Sequence, residues 1–203
     1  MQLLSEQAEQ VYCFTRNKLL SLTGRSQPEI RAALANLRRG VGRKPGEMPQ
    51  LYGEFLEDMP ETMYSDGNEP SYAEWAVYMA VTLYALHQQS KDINEKNMNL
   101  EKISLGEAAS KLAADKDDRE RIWRRFYVVA TSEDMQEMSY HLRGMIQLLR
   151  DKDIPLDYPR LAKDLFWYQC SRESADSVRL KWGQDFYKKY IGENEEENHY
   201  EKD

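Results

Sequence analysis

Behind a Ser71/Glu74 pair the chain reads Trp75-Ala76-Val77-Tyr78-Met79-Ala80-Val81. The pair has the spacing of a capping box, in which the serine side chain accepts from the backbone three residues on and the glutamate reaches back. The helix it opens extends to about Gln89 and is apolar almost all round. A helix without a polar face must be covered on every side, so it belongs at the centre of the fold. This stretch predicts helices packed around one central rod.

The remaining segments agree in period. Leu3–Leu22 reads as a helix with an uneven apolar face, and Gln50–Asp58 as a short one. Ile30, Leu34, Leu37 and Val41 fall on one face of a helix that starts after Ser26, with Pro28 in its first turn. Gly40 and Gly42 are expected to end it in left-handed backbone. Ser104 with Glu107 repeats the capping box, for a helix to about Asp115. Asp117 or Asp118 opens another, with Ile122, Phe126 and Val129 inward. Ser132 opens a long one with Met135, Met138, Leu142, Met145 and Leu149 inward. Asp157 caps a helix with Pro159 in its first turn, and the last helix runs from about Ser174 to Tyr190. No segment keeps a period-2 alternation. The expected fold class is all-α, a helical bundle in two lobes with eight or nine helices.

The polar run Lys91–Lys102 lacks an apolar stripe and reads as a loop or mobile linker. It divides an N-terminal helical lobe, residues 1–90, from a C-terminal one, residues 103–191. Residues 192–203 read as a disordered acidic tail, too poor in apolar groups to order themselves. Acids outnumber cations there by five, so of the net charge of −7 only about −2 belongs to the rest of the chain.

Composition removes several function classes. No window approaches the roughly 18 apolar residues of a spanning helix. The N-terminus lacks the charged-then-apolar order of an export signal, so a cytoplasmic protein is expected. Cys13 and Cys170 form no metal spacing and read as reduced thiols. His87, His141 and His199 are isolated, with no partner at ligand spacing. No phosphate-cradling glycine loop and no nucleophile elbow occur. The expectation is a protein without enzyme activity, cofactor or metal.

What stands out is positive charge. Arg31, Arg38, Arg39, Arg43 and Lys44 follow one another with no acid before Glu47. In an acidic chain such a run points to a polyanion or a carboxylate-rich surface. Arg31 and Arg38, seven apart, share a helix flank. Arg119, Arg121, Arg124 and Arg125 form a second cluster, in which Arg121 and Arg125 share a flank; the bland alternative for Arg124 is an i,i+4 pair with Glu120. Arg143 sits beside the buried stripe of its helix. Arg172 and Arg179 lie on the last helix. The aromatics Trp75, Trp123, Phe126, Trp167, Trp182 and Phe186 fall mostly on apolar stripes and read as core, with Trp75 and Trp123 expected to be buried. Arginines without aromatic platforms read as contacts to phosphate backbone, without sequence preference.

The order and spacing of several blocks resemble the CasB family, the small subunit of the type I-E CRISPR surveillance complex Cascade. They are Arg31 to Glu47 with Pro49, Ile103 to Ala109, Arg119 to Phe126, Leu142 to Ile146, and Leu156 to Ala162 followed by Leu165 to Tyr168. The resemblance spans residues 28–190. It implies a non-catalytic subunit, present in two copies along a crRNA-guided assembly. There it would meet the backbone and large subunits and help hold the R-loop, target strand on one side and displaced strand on the other. The candidate contacts are the twelve cations named above. The alternative is a helical adaptor whose arginines dock only onto acidic protein surfaces.

Overall fold

A computed structural model describes the backbone of residues 2–200, and side chains throughout that range except Lys116 and residues 189–200. Among the described residues the chain forms nine α-helices and no strand: α1 Gln2–Thr23, α2 Gln27–Arg39, α3 Tyr52–Phe55, α4 Tyr72–His87, α5 Leu105–Ser110, α6 Lys116–Ala130, α7 Met135–Asp151, α8 Tyr158–Cys170 and α9 Arg172–Tyr200. The expected acidic tail, 192–203, lies outside the described residues apart from the α9 backbone.

The central rod is α4. All but three of its residues, Tyr72, Glu74 and Trp75, are buried. Its capping box forms as expected: the Ser71 side chain accepts from the Glu74 amide, and the Ser71 amide donates to the Glu74 carboxylate at 2.6 Å. Helices α1, α2, α7 and α8 pack around it. Beyond them α9 lies on α5 and α8, and α6 on α7. One connected set of buried side chains runs from Ala8 in α1 to Phe186 in α9.

Two N-caps differ from the sequence reading. Asp115, not Asp117 or Asp118, caps α6, and its carboxylate accepts from the Asp118 amide. Asp134, not Ser132, caps α7, accepting from both Gln136 and Glu137. A carboxylate at the N-cap also meets the positive end of the helix dipole, which a hydroxyl does less well. Ser132 instead turns inward and donates to the Val128 carbonyl at 2.9 Å. Helix α5 stops at Ser110, and Gln50–Asp58 resolves into a 3-10 turn, Pro49–Leu51, followed by α3.

Lys91–Lys102 is a loop stitched down at both ends. The Gln88 amide donates to the carbonyls of Lys91 and Lys96, and its oxygen accepts from the Met98 amide at 2.9 Å. Asn99 makes an isolated parallel bridge to Leu156, and the Asp157 carboxylate accepts from the Lys102 amide. Ile93 and Met98 are buried beneath it.

The tryptophans divide. Trp182, Phe126 and Phe186 are fully buried, whereas Trp75, Trp123 and Trp167 are half-buried at the rim of the core. The expectation of buried Trp75 and Trp123 is therefore corrected: an indole is too large for the margin of a thin helical layer to cover. Trp123 rests on Phe126, Phe186 and Tyr187, with ring centroids 5.2–5.8 Å away. Trp182 stacks near Tyr168 and donates its indole N–H to Asp164 at 2.7 Å. Replacing Trp182 with Ala should cost about 3–5 kcal/mol, and replacing Trp123 roughly half as much. Urea denaturation ranks the two, and equal losses would contradict the difference in burial.

Candidate nucleic-acid interface

The arginines of α2 and its loop are set by an unusually close contact with the central rod. A Cβ on Gly40 would stand 2.7 Å from the Tyr78 hydroxyl, 2.7 Å from Leu51 Cδ1 and 2.9 Å from Thr82 Cγ2. The Tyr78 hydroxyl donates to the Gly40 carbonyl at 3.1 Å. Gly40 has ordinary right-handed backbone, φ −78°, so it is there for proximity and not for handedness, contrary to the sequence reading. Gly42, at φ 81°, does take the left-handed turn that aims Arg43 outward.

Folding brings the α2 arginines next to α7. One concavity is lined by Arg38, Arg39, Arg43 and Arg143, with Gln136 and Tyr140 from α7 and Leu86 from α4. A second adjoins it and shares Arg143 and Tyr140, with Arg125 and Val128 from α6 on its far side. No carboxylate lines either one. A third concavity, on the other flank of α2, holds Arg31 and Arg38 with Gln27, Lys91 and Asp92. The expected shared flank of Arg31 and Arg38 is thus present, and Arg38 belongs to two of the three hollows.

Ion pairing sorts the cations further. Among the described residues Arg31, Arg38, Arg39, Arg125 and Arg143 have no acidic partner within 4.0 Å. Arg43 reaches Glu47 only at 3.9 Å. Arg38 is partly buried, and that burial lowers its pKa from the ordinary arginine value. A cation that has lost water without gaining a counter-ion is stabilised by any anion that arrives.

The other candidates are engaged or apart. Lys44 pairs with Glu69 beside a hollow that also contains Glu47 and Glu74. Arg121 pairs with Asp118 at 2.6 Å, and Arg124 with Glu120 at 2.5 Å, along their own helix. Arg119 is half-buried near the start of α6, and Arg172 is exposed at the start of α9. Arg179 is built into the core margin: its Nε donates to the Ala130 carbonyl at 2.6 Å and its Nη2 to the Tyr168 hydroxyl at 2.7 Å. Its guanidinium lies 4.8 Å over the Tyr168 ring and also pairs with Asp176. Tyr140, absent from the sequence-derived set, stands 72% exposed between the arginines. Its position on α7, three before Arg143 and opposite the apolar stripe, is the signal that would have found it.

Among the described residues no group of three His, Cys, Asp or Glu side chains could hold a metal ion, and no helix is long and apolar enough to cross a membrane. Fold and surface together define an all-helical protein that presents an arginine-lined, carboxylate-free groove. The family model for CRISPR-associated protein Cse2 matches residues 33–187, and the chain belongs to that family, whose members are small subunits of CRISPR Cascade complexes. Solved structures agree. CasB from Thermobifida fusca is 29% identical, with a TM-score of 0.65 over 92% of this chain and 98% of its own. M. ruber CasB is 25% identical, with a TM-score of 0.64 over 89% and 96%. CasB from Thermus thermophilus, 20% identical at a TM-score of 0.61 over 89% and 97%, shares the fold. No curated protein matches the chain.

Proposed function

We propose that this chain is the non-catalytic small subunit of a type I-E Cascade complex in antiviral defence. In it the groove between α2, α7 and α6 tracks nucleic-acid backbone without reading sequence. The observation that carries this is the line of arginines, Arg38, Arg39, Arg43, Arg143 and Arg125, along adjoining hollows that no carboxylate enters. Guanidinium forks match phosphate oxygens and are indifferent to the base attached. In an R-loop, sequence is read by pairing to the guide, and protein supplies the charged channel that holds strands apart. The groove would bind the target or displaced strand, while other surfaces meet the backbone and large subunits and a second copy of this chain.

The test is charge reversal at Arg38 and Arg143. Each variant should still enter the complex yet bind single strands and R-loop targets more weakly, whatever their sequence. Loss of one phosphate contact should make the log–log salt slope shallower by about one unit. Wild-type affinity and slope in an assembled variant complex would refute the groove. Lost assembly with intact strand binding would mark these arginines as docking residues on an acidic partner.

A further inference from the structure

We propose that Tyr140 is a stacking platform for one unpaired base, seated where the two arginine-lined hollows meet. The proposal rests on the groove reading and adds what that groove selects: a single strand over a duplex.

Helix α7 separates two kinds of surface. Met138, Leu142, Met145 and Leu149 face the core. On the opposite side Gln136, Tyr140, Arg143 and Gln147 recur at i, i+4, i+7 and i+11, so they form one stripe along the groove. Tyr140 is the aromatic member of that stripe. Its ring is 72% exposed, and its hydroxyl has no hydrogen-bond partner among the described residues. The other face of its setting is fixed: the His141 ring meets it edge to face at 5.2 Å and 73°. His141 in turn lies with its Nε2 3.7 Å from Glu137 Oε1. The ring is therefore braced from its own helix and open toward the groove.

Arg143 flanks Tyr140 on the same stripe, Arg38 and Arg39 come from one side, and Arg125 from the other. A strand held by these forks through its phosphates would carry its bases past the phenol ring. Every base has a π face, so stacking there adds affinity without adding sequence preference. Bases in a duplex are already stacked on their neighbours and offer no face to the ring. The arrangement thus supplies strand-type selectivity that arginines alone lack.

The experiment measures binding of the full chain by fluorescence anisotropy to three labelled probes of equal length: oligothymidine, an abasic strand with the same phosphates, and a duplex. Circular dichroism checks that each variant folds. Tyr140→Ala should weaken oligothymidine binding roughly five- to 100-fold and leave the abasic strand and the duplex unchanged. Tyr140→Phe, which keeps the ring, should bind like wild type. Arg143→Glu should weaken every probe. If Tyr140→Ala changes nothing while Arg143→Glu weakens all probes, the platform is overturned and the groove stands. Equal weakening of thymidine and abasic strands by Tyr140→Ala would show a phosphate contact or a structural role, and also overturns the platform. If wild-type protein shows no salt-dependent binding to any probe, the groove itself fails and the platform with it.

Discussion

Gly106→Ala should destabilise the protein by about 3 kcal/mol or more, although the residue is helical and alanine is the better helix former. The added Cβ would stand 2.0 Å from the Trp182 carbonyl oxygen, 2.9 Å from its carbon and 3.0 Å from the Phe186 nitrogen. All three are backbone atoms of α9, so no side chain can rotate away. Helix α5 would have to lift from α9, disturbing the buried Trp182 and Phe186 that lie beneath it. Ordinary overpacking costs about 1–3 kcal/mol, and a clash with helix backbone belongs at or above the top of that range. The gain in helix propensity, about 1 kcal/mol, is the smaller effect. Gly183 supplies the control, since a Cβ there meets nothing within 4 Å. Gly183→Ala should stabilise by about 0.5–1 kcal/mol. Two urea curves check the pair, and a stabilising Gly106→Ala would show that α5 does not lie backbone-to-backbone on α9.

Acid should find a second weak point, at His87. Its ring is fully buried at the end of α4, its Nδ1 hydrogen-bonds the Tyr158 hydroxyl at 2.9 Å, and its Nε2 makes no hydrogen bond of good geometry among the described residues, with the Leu149 and Ile154 backbones only weakly favouring the charged ring. Burial, with Lys91 nearby, lowers its pKa to about 4 from the ordinary 6.5. The folded state thus favours neutral imidazole. The contribution is fully present above pH 6.5 and is lost as pH falls toward 4, amounting to roughly 3 kcal/mol. Asp164 works in the opposite sense. Burial raises its carboxyl to about 6, against the lowering effect of the Trp182 indole bond and of Arg160. The folded state gains stability as Asp164 takes up its proton below pH 6, so the wild-type profile blends two opposed slopes. His87→Asn isolates one of them. Its cost relative to wild type should be largest at pH 7 and shrink by roughly 3 kcal/mol toward pH 4. A cost that stays constant with pH would mean that His87 is not held neutral by burial.

The fold was legible because its signals are local. The Ser71/Glu74 box, the stripes three and four residues apart and the apolar α4 each fall within a few turns of helix, so period alone identified them. One flank of the candidate site was legible for the same reason: Arg31 and Arg38 share it at any helix placement, and both line the third hollow. The rest depends on which helices become neighbours. Nothing near Arg38 in the sequence reports that α7 will lie beside it, so a groove shared by Arg38, Arg39, Arg43, Arg121, Arg125 and Arg143 is an expectation of the family resemblance, and the helix neighbours that line it are not legible. Arg179 looked as available as Arg143, yet its forks were to be taken by Ala130 and Tyr168, 49 and 11 residues away. Tyr140 stands on the face opposite the apolar stripe, where helical periodicity assigns an aromatic no role. Gly40 shows the same limit: a glycine after a helix suggests a turn, and only the packed structure reveals a hydroxyl lying where its side chain would be.

That contact between Gly40 and Tyr78 has a consequence for binding. Loops that carry cations usually lose conformational freedom when they close on a strand, and that loss subtracts from affinity. Here the end of α2 is bonded through its carbonyl to the central helix α4, so the start of the loop bearing Arg43 is ordered before any ligand arrives. The entropy of arranging that surface is met during folding, by the same side chains that hold the core. If the proposed groove binds a strand, affinity and resistance to unfolding draw on common residues, and substitutions around Tyr78 would weaken binding without touching an arginine.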